Sequence, residues 1–328
     1  MRKSLYIILV VLATLPGRLS AQVDPHFSQY FIQPMFLNPA LTGAIEGDYR
    51  VSAIWRSQYN NTFNTQGVAA EMVTNKNLNI GISLLNQLSS GGAYSFTSGQ
   101  LSLAYTGVRF SNHYLTMAMQ AGMLNRRFNA SKMQFGDQWL PGIGYNHNMP
   151  TNEIFTRPTA SVFDAGAGIL YYDATPDRKV NIFAGAAVFH ITQPADPFIT
   201  GGEHAKLPMR YSAHAGARII VNDFVNFVPN VLYMKQGTGE EKMVGAYLQI
   251  SAGERTDLML GANWRIGDVV SPFAGFYYNG FTLGVSYDVT PSTKDFMAIS
   301  RNSLELSLAY TWRKKASTST NPFFCPRF

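Results

Sequence analysis

Cysteine is almost missing from this chain of 328 residues; the single one is Cys325, at the far end. A disulfide within the chain is thereby excluded, whatever the redox state of the compartment. Charge is scarce too: Asp, Glu, Lys and Arg make up 14% of the residues, against roughly 25% in soluble domains. Beyond residue 21 no apolar run approaches the roughly 20 residues that a membrane helix needs. A chain with little charge, 13% aromatics and no spanning helix has few ways of being soluble. A closed β-barrel resolves the conflict, because each membrane strand shows lipid only every second residue. Mean hydropathy can then sit near zero, at −0.05, while the outside of the protein is greasy.

The first residues read as a targeting segment. Arg2 and Lys3 make a basic start, Leu5 to Leu15 is a short apolar run, Pro16 and Gly17 break it, and Leu19-Ser20-Ala21 offers small residues before a cut. This is the layout of a secretory signal peptide, with Gln22 the expected mature start. A retained anchor helix is the alternative, and the apolar run is short for one. The residue immediately after Ala21 is Gln22, not cysteine, which excludes an acyl-anchored lipoprotein. Losing Arg2, Lys3 and Arg18 takes the formal charge from +6 to +3. So small a value, spread along the chain, makes no case for nucleic acid.

What the sequence does have is period-two alternation in segments of about ten residues, the length of a tilted membrane strand. Leu304, Leu306, Leu308, Tyr310 and Trp312 alternate with Glu305, Ser307, Ala309 and Thr311. Tyr211, Ala213, Ala215, Ala217 and Ile219 alternate with Arg210, Ser212, His214, Gly216 and Arg218. A helix would scatter these residues, whereas a strand sorts them into two faces. The expected fold is all-β: a transmembrane antiparallel barrel of about 14 strands. The strands fall near 48–56, 66–74, 77–87, 96–106, 113–124, 161–172, 179–190, 209–221, 224–235, 242–251, 256–265, 269–278, 281–289 and 302–312.

Connection lengths suggest an orientation. Tight turns are expected at 75–77, 107–112, 173–178, 222–223, 252–256 and 279–280, and these would face the periplasm. The other set holds every long connection, 125–160, 191–208 and 290–301, with one short exception near Gly267. Both ends of the barrel then lie in the periplasm. Tyr49, Trp55, Tyr171, Tyr172, Tyr233, Trp264, Tyr277, Tyr278, Tyr310 and Trp312 stand near strand ends, as interfacial aromatics do. The expected layout is a signal peptide at 1–21, an extra-barrel segment at 22–44, the barrel at 45–312 and a periplasmic tail at 313–328. Pro25, Pro34 and Pro39 keep the first segment out of any ladder. Its many apolar residues require it to pack inside or under the lumen.

Chemistry is thin. Arg50, Arg56, Glu71, Arg210, Arg218, Asp257, Arg265 and Glu305 fall on the lumen face, either lining a pore or filling a narrow interior as a charge ladder. The histidines are dispersed, without the spacing of a metal site, and no Gly-x-Ser-x-Gly elbow occurs. No catalytic residue, metal or cofactor is expected. Cys325 is either a buried thiol or an unpaired one able to join a partner.

The ends carry a resemblance. Asp24-Pro25-His26-Phe27-Ser28-Gln29-Tyr30, then Pro34-Met35-Phe36-Leu37-Asn38-Pro39-Ala40-Leu41-Thr42-Gly43, resemble the mature start of the PorP/SprF family. Asn321-Pro322-Phe323-Phe324-Cys325-Pro326-Arg327-Phe328 resembles the family's C-terminus. The resemblance implies an outer-membrane accessory component of type IX secretion and gliding in a Bacteroidota-type bacterium, not an enzyme. Implied partners are secreted surface cargo, a periplasmic peptidoglycan-associated protein, other secretion-system components and outer-membrane lipid. Asp24, Pro25, Phe27, Tyr30, Asn38, Pro39 and Ala40 are then candidates for a partner or plug segment. Phe323, Phe324, Cys325, Pro326, Arg327 and Phe328 are candidates for a tail contact. The alternative is a fatty-acid-type channel, whose plug also carries an Asn-Pro-Ala turn.

Overall fold

The computed structural model describes residues 24–74, 76–146, 148–153, 158–176, 178–195, 206–290 and 302–314. Fourteen antiparallel strands close into one barrel. The first five are β1 (Tyr49–Gln58), β2 (Phe63–Met72), β3 (Leu78–Ser89), β4 (Tyr94–Phe110) and β5 (His113–Phe128). A loop follows with its own small ribbon, β6 (Trp139–Leu140) against β7 (Gly144–Tyr145). The wall resumes with β8 (Thr159–Asp173), β9 (Val180–Phe189), β10 (Arg210–Asn222), β11 (Val225–Gln236) and β12 (Gly239–Gly253). It ends with β13 (Thr256–Arg265), β14 (Val270–Tyr278), β15 (Phe281–Asp288) and β16 (Ser303–Trp312). β1 pairs with β16 in unbroken register from Tyr49–Trp312 to Gln58–Ser303, so the barrel itself has no open edge.

Each wall strand obeys the alternation. On β16, Leu306 and Leu308 keep 45% exposure on the outside, while Glu305 before them keeps none and Ser307 between them is buried. The barrel is polar within and apolar without, which is stable only where lipid bathes the outer face. The same rule corrects two of the interfacial aromatics. Neighbours along a strand must face opposite ways, so Tyr171 and Tyr172 cannot both meet lipid: Tyr172 is buried and stacks on Tyr114 at 5.0 Å. Tyr277 likewise shares the inward face of Ser271 and Phe273, and Tyr278 is the exposed partner.

Several connections differ from expectation. The turn at 107–112 shrinks to Ser111 and Asn112, because β4 continues to Phe110 across a register shift between Tyr105 and Val108. A glycine that reads as a turn residue, Gly107, here sits beside a bulge. Similarly, only Glu254 and Arg255 turn between β12 and β13. At the other end the connections at 59–62, 90–93 and 237–238 are tight as well. The length contrast therefore rests on three loops, 129–158, 190–209 and 289–302, which share one mouth. That mouth is called the long-loop end and the other the tight-turn end.

Candidate functional site

The lumen is occupied by the chain's own amino-terminal segment. β1 begins at the tight-turn end, where Asp48 donates its N–H to the Trp312 carbonyl at 2.9 Å. Asp24 lies at the opposite mouth, beside Gln236 at the end of β11 and His190 just past β9. Residues 24–47 thus thread the whole barrel. Proline explains why they do so without joining the wall, since Pro25, Pro34 and Pro39 withhold the donor that a ladder needs. Two of them instead open short 3₁₀ turns, Pro34–Phe36 and Pro39–Leu41. Phe27, Phe31, Ile32, Met35, Leu37 and Leu41 are all buried, each burial contributing about 1.5–3 kcal/mol. Phe31 packs on Phe273 and Tyr247 at 4.7 and 5.5 Å between ring centres.

At the long-loop end the segment is held by a clasp. Both ring nitrogens of buried His190 face carboxylates, Nε2 that of Asp24 and Nδ1 that of Asp164 at 3.1 Å. Only an imidazolium can donate from both nitrogens. Burial works against that charge, but the hydrogen bonds and charges of Asp164 and Asp24 outweigh it, and the pKa of His190 is raised to about 9. Asp24 responds in the opposite sense. Burial would raise its pKa, yet His190, Arg210 and Gln236 hold it well below the usual carboxylate range. The Asp24 N–H also donates to Gln236 Oε1 at 2.7 Å.

Below the clasp lies a grid of buried charge. Arg56 bonds Asp288 at 2.9 Å, Glu305 at 3.2 Å and the His26 carbonyl at 2.7 Å. Glu305 in turn accepts the backbone N–H groups of Ser28 and Gln29 at 2.7 and 3.0 Å. Arg265 bonds Glu241 at 3.2 Å and Asp268 at 3.1 Å, and donates to Ser28 Oγ at 3.0 Å. At the tight-turn end Arg50 pairs with Glu71, whose second oxygen accepts the Gly43 N–H at 2.7 Å. Wall charges are therefore neutralised by each other and by the backbone of the inserted segment, as buried charges require.

Inward glycines supply the remaining fit. The Asn38 amide donates to Ile169 O at 2.9 Å, its oxygen accepts from Ala40 N at 2.9 Å, and His214 Nε2 lies 3.2 Å away. It sits in a niche between Gly168 and Gly185, where any Cβ would overlap the Asn38 side chain. Met35 lies against Gly81 and Phe36 against Gly67 in the same manner. The segment is fitted to the wall like a core, not laid loosely in a channel.

Above the clasp and the grid, the long-loop mouth opens as a cup of about 580 Å³. The family model for the type IX secretion system membrane protein PorP/SprF matches residues 19–310. The chain belongs to the PorP/SprF family. No curated protein matches its sequence. This PorP/SprF barrel is similar to the toluene transporter TbuX of Ralstonia pickettii, at 9% identity over 86% of this chain and 94% of that one, with a TM-score of 0.50. It is also similar to the toluene transporter TodX of Pseudomonas putida, at 7% identity over 88% and 94%, with a TM-score of 0.50. Likeness at such identities concerns the barrel fold alone. The family makes the chain a membrane component of type IX secretion, and the closed barrel fits an outer-membrane location.

Of the residues singled out in the sequence, the PorP/SprF structure brings Asp24, Pro25, Phe27, Tyr30, Asn38, Pro39 and Ala40 together inside the lumen. Tyr30 donates to Asn230 at 2.5 Å. Arg50, Arg56, Glu71, Arg210, Asp257, Arg265 and Glu305 are buried on the lumen face, and Arg218 is half-buried. Asp257 accepts from Gln249 at 2.9 Å. Arg210 donates to the Phe36 carbonyl at 3.2 Å and lies 4.1 Å over the Phe189 ring. The tail residues Phe323, Phe324, Cys325, Pro326, Arg327 and Phe328 lie outside the described residues. Asp24 stands at the mouth opposite Trp312. The sequence reading also passed over Asp164, Glu241, Asp288, His26 and His190. Their strand parity with Arg210, Arg265 and Arg56 could have flagged the carboxylates, but nothing local marks the histidines.

Proposed function

We propose that this protein is a stoppered, non-enzymatic accessory component of type IX secretion that helps deliver or hold adhesin-like cargo at the surface of a Bacteroidota-type cell. The observation that carries this reading is the filled lumen. Residues 24–47 are bonded to the wall from one mouth to the other, which leaves no width for a passing polypeptide. Such a barrel works by what its two mouths hold, and outer-membrane lipid is its surround. The long-loop end faces outside and meets cargo. The tight-turn end faces the periplasm, where the 321–328 tail reaches a peptidoglycan-associated protein and other secretion components. Deleting Asn321 to Phe328 is expected to leave a barrel that still shifts on heating in a gel, while crosslinked partners and surface cargo are lost. Normal cargo display by the truncated protein would remove the tail from this role.

A hydrocarbon or fatty-acid channel is the second reading, favoured by a lumen segment bearing an Asn-Pro-Ala turn. Against it, a broad apolar hollow lies on the outer wall around Leu260, Phe276 and Leu306, while the mouth of the lumen is polar and charged. Uptake of labelled fatty acid or toluene by a deletion strain, equal to that of the parent, is the expected result.

A further inference from the structure

We infer that the cup at the long-loop end is a binding site for a neutral saccharide. Its floor is Asp24, Pro25 and His26, and its volume of about 580 Å³ lies within the roughly 300–1,000 Å³ of small-molecule sites. It spans the mouth between the β1–β2 turn on one side and the β11–β12 and β13–β14 turns on the other.

The ligand class follows from which groups are already committed. Asp24 is taken by His190 and Gln236. Glu241 is taken by His26 at 2.7 Å and Arg265 at 3.2 Å, and Asp268 by the same Arg265. Glu240 pairs with Lys242 at 3.2 Å. An ionic ligand would meet both signs of charge, each already neutralised, and would lose its hydration without gaining a counter-charge. A peptide gains affinity on a β-protein chiefly by adding a strand to an edge, and a closed barrel has none. What remains is neutral hydrogen-bonding capacity beside an aromatic pair. Among the described residues the Gln58 amide and the Tyr59 hydroxyl make no hydrogen bond, and both line the cup. Tyr59 and Phe63 meet edge-to-face at 5.8 Å, offering an apolar surface to the C–H face of a sugar ring.

The turn bearing these rings is strained. Tyr59, Asn60 and Asn61 have φ of 53°, 53° and 65°, three successive left-handed residues without a glycine. Asparagine tolerates this conformation and tyrosine does so poorly. Strain of this kind persists where a side chain must be aimed, and ligand clamps are a common setting. Here it holds Tyr59 at the cup's lip.

Saturation-transfer NMR on the full chain, purified in a detergent without a sugar headgroup, tests the assignment with maltose, cellobiose and lactose as probes. Transfer to ring protons of at least one disaccharide is expected. Phe63→Ala should weaken it by about threefold to tenfold, the loss of one aromatic contact, and Gln58→Ala should weaken it independently. Phe281→Ala, on the outer wall at the other end, should leave it unchanged. Heat-modifiable migration confirms that each variant is folded. Absence of transfer from all three sugars to the native protein overturns the proposal. So does transfer indifferent to Phe63 and Gln58, or its displacement by oligolysine or citrate, which would mark the cup as a site for charge.

Discussion

At Asn38 the inserted segment and the wall fit to within single atoms, and the fit can be broken from either side. Gly168→Ala would place a methyl group inside the Asn38 side chain. Overpacking of this kind costs about 1–3 kcal/mol. A lowered temperature for the folded-to-unfolded shift on gels is expected, and Gly107→Ala, next to a flexible Tyr105 ring, should matter less. His190 gives a pH test. Its folded pKa is raised, so the stability it contributes is complete below its ordinary value of about 6.5. That contribution diminishes as pH rises toward about 9 and is gone above it. Asp24, with a depressed pKa, behaves oppositely: its share is present above the ordinary carboxylate range and is lost in acid. Thermal scans between pH 6 and 10 should therefore show the native barrel losing stability relative to His190→Ala, whose curve lacks this slope. Parallel curves would disprove the doubly bonded imidazolium.

At the scale of elements, the strands were legible because the lipid-facing rule imposes period two on every one of them, as in Leu304 to Trp312. Their ends were less so, since Gly107 and Gly253 signal a turn in one dimension whether the backbone turns or bulges. The amino-terminal segment was legible as something other than a strand, through Pro25, Pro34 and Pro39. Its course was not: threading depends on contacts more than 200 residues apart, such as Asp24 with Gln236 and Ser28 with Glu305, which no local pattern encodes. The clasp was invisible for the same reason, because His190 and Asp24 acquire meaning only when the barrel closes. Threading has a direct consequence for topology. An epitope placed immediately before Asp24 should emerge at the same mouth as one placed at Asn146, and both should be labelled on intact cells given the proposed orientation. An epitope in the Glu254-Arg255 turn should require lysis. Labelling of the Asn146 site without the amino-terminal site would contradict the threaded path.

For the molecule as a whole, the central question is what the barrel becomes without its filling. Fourteen strands enclose more room than eight, a number whose interior side chains alone can fill. In this barrel the difference is taken up by residues 24–47, and the wall is built to expect them. Gly67, Gly81, Gly168, Gly185 and Gly284 are inward positions without side chains, each facing an atom of the inserted segment. Removing the segment would leave those niches empty, and Glu305 would lose the two backbone donors of Ser28 and Gln29. Yet the wall need not collapse. The strand ladder is continuous around the barrel, and the Arg56–Asp288, Arg56–Glu305 and Arg50–Glu71 pairs are made between wall residues. Water can solvate the remaining polar interior, as it does in porins. Deleting residues 24–44 after the signal segment should thus convert a silent barrel into an ion-conducting one. In planar bilayers the native protein is expected to show no steady conductance and the deletion variant discrete open channels, with cells expressing it sensitised to bulky antibiotics. Steady conductance by the native protein would mean that the segment leaves the lumen at rest. A folded deletion variant that stays silent would mean that the wall closes on itself, and that the segment fills a space the barrel could have done without.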